Sequence, residues 1–146
     1  MKKIGEEIRR AIEESIGELS KISEEAARKK KMPKSWSKKE IIGHLIDSAA
    51  NNHHRIVRAA YNAAADFPPY DQNKWVEIQQ YQEMPWADLI ELFACYNHQL
   101  SRVVASFPSE ALGNPVNIGK AEKVTVQFVI TDYLRHLKHH LVRVLQ

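Results

Sequence analysis

The chain has 146 residues, enough for one domain that buries most of the surface exposed by its unfolded form. Five glycines and six prolines are few for a protein of strands and turns, and 44% hydrophobic with 27% charged residues is ordinary for a globular domain. These values exclude collagen-like and disordered classes, and a single cysteine, Cys95, excludes an internal disulfide.

Basic residues are concentrated in one short segment. Residues 28–39 hold seven of the 21 lysines and arginines and no acid, so acids outnumber bases in the rest of the chain. Nucleic-acid binders spread their bases along a face or groove instead. We therefore expect a solvated connector here, and no nucleic-acid partner.

The sequence predicts neither secretion nor a membrane partner. The first ten residues, MKKIGEEIRR, carry charges where a signal peptide needs an apolar core. No apolar run reaches the 18 residues or so that a membrane span requires. A reducing, cytoplasmic location is the expectation that fits one unpaired cysteine.

Four segments have the apolar spacing of a helix. The first is predicted over residues 4–26, and the second begins at a capping box of Ser37 and Glu40 and runs through about residue 65. The proline-rich residues 66–75 are interpreted as an ordered connector without an element of their own. A third helix is predicted from near Pro85 to Phe107, and a last one follows a Thr125 cap and runs through Val144.

No strand-like alternation of any length accompanies these helices. We therefore predict an all-α protein, a single four-helix bundle over residues 1–146, with the longer connection between helices two and three. The apolar stripes of helices one and two must be covered by other helices or by a second chain. A homodimer packed through helices is the expected assembly.

Two of the seven histidines point into the predicted bundle. His136 and His140 are four residues apart, so both project from the apolar face of the last helix. A buried imidazole needs a hydrogen-bond partner or a metal, and two imidazoles one turn apart can bind the same ion. A pair of hydrogen-bonded core histidines is the alternative, and the spacing alone leaves both open.

A third histidine lies on a separate stripe of helix two. At about 100° per residue, His44 falls about 200° from the apolar stripe and shares its face with Ser48, Asn51 and Arg55. This polar stripe is either solvated or lines a cleft that His136 and His140 also reach. The sequence does not decide between the two.

Several other catalytic classes lack their motifs. No glutamate is followed three residues later by a histidine, which excludes the di-iron bundles. The H-E-x-x-H, G-x-S-x-G, P-loop and G-x-G-x-x-G patterns are also missing. Cys95 lies in helix three without an activating neighbour in sequence, so we interpret it as a packing residue rather than a nucleophile.

Three motifs in order resemble the DinB/YfiT-like superfamily. They are W-S-x-x-E-x-x-G-H-L-x-D-S (36–48) with Asn51 and Arg55 behind it, P-Y-D-x-x-x-W (69–75), and H-x-x-H-H (136–140). The resemblance spans nearly the whole chain. It implies a four-helix bundle, typically dimeric, that binds zinc or nickel through His44, His136 and His140. Some relatives carry a further His or Gln soon after the last motif, where this chain has residues 141–143.

The resemblance also implies a choice of activities. The superfamily includes metal-dependent hydrolases and enzymes that transfer low-molecular-weight thiols to electrophilic small molecules. Three neutral imidazoles leave a divalent ion with an open position, as in catalytic sites. Water or a thiol could then serve as the nucleophile. A non-catalytic metal-binding or stress-response protein of the same fold is the alternative.

Five residues complete the predicted site. Asp47, three residues after His44, could orient an imidazole, or it could be an exposed helix acid. Arg55 lies about 16 Å above His44 along the helix, a distance suited to the anionic end of a substrate. Asn51 shares that stripe, and Tyr70 and Trp75 would form the rim of the cleft, unless their loop only packs onto the bundle.

Overall fold

The computed structural model describes residues 1–62 and 65–146. Their helices are α1 (Lys2–Leu19), α2 (Glu24–Arg28), α3 (Lys38–Tyr61), α4 (Gln72–Gln79), α5 (Trp86–Ala105) and α6 (Val126–Leu145). A 3-10 turn (Ser109–Ala111) and two antiparallel strands, β1 (Pro115–Val116) and β2 (Val124–Thr125), complete the described elements. The four long helices, α1, α3, α5 and α6, confirm the predicted all-α four-helix bundle. No helix in this part of the chain is long and apolar enough to cross a bilayer.

One hydrophobic core lies between the four long helices. The predicted stripes supply it, because residues such as Ile8, Leu45, Phe93 and Ile130 are completely buried. The two stripes invoked for dimerisation are thus largely covered within the chain. Covering these stripes does not require a second chain, and the homodimer stays a prediction.

The first half of α3 is buried all round. Every residue from 41 to 49 is buried, the polar ones included, because α5 and α6 pack against α3 while α4 covers it from the connector. The polar stripe of this helix therefore begins inside the protein. This placement rules out a solvated stripe at its first two turns.

The first predicted helix is in fact two helices. α1 ends at Leu19, and α2 starts after Ser23, whose side chain accepts a hydrogen bond from the Ala26 N–H at 3.2 Å. A serine in extended conformation at this position caps a new helix rather than continuing the old one. The apolar spacing runs across the break, which explains why the sequence pattern does not show it.

The second predicted helix ends earlier than expected. α3 stops at Tyr61, and the backbone of Ala65 and Phe67 pairs with Asn117 through hydrogen bonds of 3.1 and 2.9 Å. These long-range bonds hold residues 65–67 outside the helix. The predicted segment at residues 63 and 64 lies outside the described residues.

The connector after α3 contains a helix that the sequence interpretation missed. Asp71 caps α4 by accepting hydrogen bonds from the backbone N–H of Asn73 (3.0 Å) and Lys74 (3.2 Å). Only Val76 of its eight residues is buried, so no apolar repeat marks this helix. The Asp71 cap was the available signal.

The basic segment is not solvated throughout. Lys39 is 1% exposed, and its Nζ lies 2.5 Å from the Glu24 carboxylate and 2.9 Å from the Gln82 carbonyl oxygen. Lys30 pairs with Glu40 at 2.8 Å. The expectation of a solvated connector is therefore wrong at Lys39, which ties α2 and the end of the connector to α3.

Candidate metal centre

Two helices bring the three predicted histidines together. α3 supplies His44, and α6 supplies His136 and His140 from two successive turns on the side facing α3. The start of α3 is fixed by its capping box, in which Ser37 accepts from the Glu40 N–H and Glu40 accepts from the Ser37 N–H. The start of α6 is fixed by Thr125, which accepts from the Phe128 N–H. Each histidine therefore projects from a regular, capped helix.

Gly43 allows the connector to approach α3 next to His44. A Cβ at this position would lie only 2.0 Å from Cδ2 of Tyr81. The glycine in the G-H-L-x-D motif is therefore required by packing, because the Tyr81 ring occupies the space of a side chain. This contact also directs the Tyr81 hydroxyl to Asp47, 2.6 Å away.

The three imidazoles form one compact cluster. Nε2 of His44 and Nε2 of His136 are 3.1 Å apart, and one ring nitrogen from each histidine lies within 4.8 Å of the other two. The ring centroids are 4.5 to 5.0 Å apart. Among the described residues, this is the one group of three or more His, Cys, Asp or Glu side chains with such spacing.

The surroundings favour the neutral form of all three rings. Burial, with the neighbouring His136, lowers the pKa of His44 to about 4. Burial and the other two histidines lower the pKa of His140 to about 3, and burial also lowers the pKa of His136. Neutral imidazoles keep a nitrogen lone pair, which is the form that binds metals.

The donor set fits a divalent ion. Two neutral Nε2 atoms at 3.1 Å are close to the roughly 3.3 Å that separates two nitrogens bound at 2.0–2.1 Å to one tetrahedral ion. The buried Nδ1 atoms of His44 and His140 have no hydrogen-bond partner among the described residues. A buried polar atom without a partner costs free energy, and the described residues do not pair every ring nitrogen of this cluster, as hydrogen-bonded core histidines would require. Imidazole ligands suit both zinc and nickel.

Asp47 is buried, but its hydrogen bonds go elsewhere. Its side chain is 1% exposed, so the alternative of an exposed helix acid is wrong. Oδ1 accepts hydrogen bonds from Tyr81 (2.6 Å) and Gln79 (3.2 Å), while Oδ2 has no partner in the described structure. Burial raises the pKa of Asp47, and these two hydrogen bonds lower it. A role in orienting an imidazole stays a prediction.

The side chain beside an outer imidazole nitrogen is Ser48. Its Oγ lies 3.5 Å from Nδ1 of His136, the ring nitrogen opposite the one that faces His44. The sequence places Ser48 one turn after His44 on the same stripe, and that spacing was the signal for its position. Gln79 and Tyr81 lie far from the histidines in sequence and gave no such signal.

The four predicted substrate-binding residues line one cleft. This cleft, of about 590 Å³, lies between α3 and the connector that contains α4. The residues are Asn51, Arg55, Tyr70 and Trp75. Their role in binding a substrate stays a prediction. Their common position shows that the loop leaves an open cleft beside α3.

Arg55 and Tyr70 connect the cleft with the cluster. The Arg55 guanidinium lies 5.9 Å from the centre of the Tyr70 ring, whose centroid is 5.2 Å from that of Trp75 with the two planes inclined at 58°. Burial raises the pKa of Tyr70, while neighbouring Arg55 and Ser48 lower it and Asp47 raises it further. Ser48, which lies beside His136, is therefore one of the groups that affect the Tyr70 hydroxyl.

Cys95 and three other histidines of the described chain are not members of the cluster. His53 packs on Tyr96, and His54 packs on Phe67 at the edge of the cleft. His139 faces outward, although its ring lies 5.2 Å from that of His140. Cys95 is exposed, so its interpretation as a packing residue is wrong. It lies on the outer face of α5, where neighbouring Phe93 faces the core.

Known proteins share the fold and the sequence pattern. YfiT from Bacillus subtilis, described as a probable metal-dependent hydrolase with an unusual four-helix bundle topology, superposes with a TM-score of 0.80 at 16% identity, over 99% of this chain and 85% of YfiT. A mycothiol-dependent maleylpyruvate isomerase superposes with a TM-score of 0.78 at 13% identity, over 96% of this chain and 58% of that protein. These likenesses show the fold.

Sequence comparison shows the family. A protein of Oceanobacillus iheyensis, named as a candidate metal-dependent hydrolase, is 22% identical over 130 residues, which are 88% of this chain and 75% of the relative. The family model of the DinB superfamily matches residues 7–142. The resemblance carried by the three motifs is thus confirmed, and this chain belongs to the DinB superfamily.

Proposed function

We propose that this protein is a divalent-metal-dependent enzyme that attacks an electrophilic small molecule with water or a small thiol as nucleophile. The observation that carries the proposal is the cluster of three neutral, largely buried histidines within 4.8 Å of one another. Membership of a superfamily with a relative named for metal-dependent hydrolysis supports it. Zinc or nickel is the proposed ion.

The composition of the cluster favours catalysis over a purely structural site. Structural zinc sites are closed by four protein ligands, whereas catalytic sites keep a position open. The described structure offers three histidines and no carboxylate or thiolate within the cluster. A divalent ion held there supplies Lewis acidity, which ionises water or a thiol near neutral pH.

The chain's own residues hold and orient the reacting groups. His44, His136 and His140 would be the ligands, and Ser48 would fix the orientation of the His136 ring by accepting its Nδ1–H. Burial keeps these rings neutral without the metal, so little proton release accompanies metal binding near pH 7.

Arg55 is the proposed anchor for an anionic part of the substrate. Its guanidinium faces the cleft and forms no salt bridge with an acid in the described chain. Burial lowers its pKa, yet arginine remains charged at neutral pH. A carboxylate or phosphate placed in the cleft would meet a fixed cation, with Asn51 and the rings of Tyr70 and Trp75 beside it.

An activity screen of protein prepared without a histidine tag tests the proposal. Metal-loaded protein would be offered esters, amides and other electrophiles, each with water alone and with small thiols, and metal-free protein would be the control. We expect turnover only with metal, and the preferred nucleophile separates hydrolysis from thiol transfer. A stoichiometrically loaded protein without turnover across the panel would instead indicate a non-catalytic metal-binding or stress-response protein.

A further inference from the structure

A second cavity lies beside the histidine cluster and is separate from the cleft. Its volume is about 290 Å³, and it forms where the loop after α2 meets the end of α6. The cleft described above lies at the connector and shares no residue with it. The residues that matter here are Lys29, Lys31, Ser35, Trp36, Lys38 and Arg143.

Cations without acidic partners surround this cavity. Lys29, Lys31, Lys38 and Arg143 line it, no acidic side chain does, and none of the four forms a salt bridge within residues 1–62 and 65–146. Other bases of the same segment are paired, since Arg28 contacts Glu83, Lys30 contacts Glu40 and Lys39 contacts Glu24. The segment thus divides into paired bases and a set left unpaired around one concave surface.

The unpaired cations repel one another. Burial and the charge of Lys31 lower the pKa of Lys38, whose ammonium also donates a hydrogen bond to the Val144 carbonyl at the end of α6. That hydrogen bond accounts for the position of Lys38 but not for Lys29 or Lys31, which extend from the loop. Cations gathered in a recess create a positive potential there, and a bound anion would reduce the repulsion between them.

Trp36 separates this cavity from the histidines. Its ring lines the cavity and lies 4.9 Å from the ring of His44, with an angle of 39° between the planes. Arg143 lies one helical turn after His140 on α6. The cavity is therefore adjacent to the His44 and His140 side of the cluster, whereas Ser48 and Tyr70 connect the cleft to the His136 side.

We propose that this cavity, the basic pocket, binds the carboxylate or phosphate group of a second small molecule beside the histidine cluster. That this molecule is a co-substrate of the reaction rests on the proposed function. Two recesses next to one cluster suit a reaction between two molecules. The binding of an anion itself does not depend on turnover.

The test follows the indole N–H signal of Trp36 by NMR during titration with inorganic phosphate and, separately, acetate. Trp36→Phe assigns the signal, and both metal-loaded and metal-free protein are titrated. We expect a saturable shift in both forms that weakens as salt is added. The more strongly bound probe distinguishes a phosphate from a carboxylate ligand. A shift seen only with metal would place the anion on the ion and overturn the proposal.

Two charge-matched variants identify the site. Removing two cations at the rim in Lys29→Gln/Lys31→Gln should weaken binding about five-fold. Lys2→Gln/Lys123→Gln removes two exposed lysines elsewhere and should leave binding unchanged. Equal weakening in both variants, or no shift of Trp36 with either probe, would contradict the basic pocket. Metal content and turnover are measured separately, so failure of the pocket and failure of the enzymatic proposal remain distinguishable.

Discussion

The polar stripe of α3 has two ends with different environments. At the start of the helix, His44 and Ser48 are 1% and 3% exposed, and burial keeps the His44 imidazole neutral. Two turns later, Asn51 and Arg55 are half-buried and face a wide cleft that contains charges. One helix thus presents a buried, neutral cluster suited to a metal and, further along, a more exposed, charged surface suited to recognition.

The largest effect should come from removing a member of the cluster. We expect His136→Ala to weaken metal binding by more than about 100-fold and to eliminate turnover, because loss of a ligand exceeds the effect of losing an outer partner. His98→Ala, which removes a histidine of α5 outside the cluster, is the matched control. Equilibrium dialysis with zinc and nickel measures the affinity. Equal affinity in the two variants would remove His136 from the site.

The next effect concerns the packing that positions the start of the stripe. Gly43→Ala places a Cβ in the space of the Tyr81 ring, so it should lower the free energy of unfolding by about 1–3 kcal/mol. Gly17→Ala in α1 meets nothing within 4 Å and should raise it by up to about 1 kcal/mol. Urea unfolding of both variants checks the pair. Similar values for the two would mean that Tyr81 moves aside easily.

At the other end of the stripe, Arg55→Ala should affect binding rather than chemistry. We expect a KM about ten-fold higher with kcat nearly unchanged. The reason is that the guanidinium would bind the anionic part of the substrate equally strongly in the ground state and in the transition state. Arg102→Ala, an exposed arginine of α5, should leave both constants unchanged. Metal content should stay at the normal level in both variants. A fall in kcat with constant KM would place Arg55 in the chemical step instead.

A further effect is a pH dependence that belongs to the buried end of the stripe. His44 and His140 have pKa values near 4 and 3 in the folded protein, against the ordinary 6.5. Below pH 6.5 the unfolded chain therefore binds more protons than the folded protein does. Their contribution to the free energy of unfolding is intact above pH 6.5 and is lost as pH falls from 6.5 through the folded pKa values near 4 and 3. Urea unfolding of metal-free protein should show this loss, and His44→Leu/His140→Leu should show less of it. An equal slope in the variant would contradict neutral histidines.

The fold could be predicted from sequence where stripes were long. The apolar spacing of the four long helices and the caps at Ser37 and Thr125 are local signals, and the structure follows them. The break at Ser23 and the end of α3 at Tyr61 depend on a competing cap and on backbone pairing with Asn117, which is distant in sequence. Spacing within a helix cannot show such contacts.

The site was predictable in part for the same reason. The inward direction of His136 and His140 follows from their spacing, whereas the approach of His44 to them depends on how α3 and α6 pack, and the family motif supplied that step. The partners of Asp47 could not be predicted, because Gln79 and Tyr81 come from the connector. The basic pocket could not be predicted either, because Arg143 is distant in sequence from the lysines and meets them only in the folded chain.

Metal analysis of protein purified without a histidine tag tests the central claim most directly. The cluster predicts one divalent ion per chain in the native protein and none in His44→Ala, because two histidines on one helix would lose the third donor. His98→Ala should retain one ion per chain. Full metal occupancy and affinity in His44→Ala, or a native protein that binds no stoichiometric zinc or nickel, would contradict the three-histidine centre.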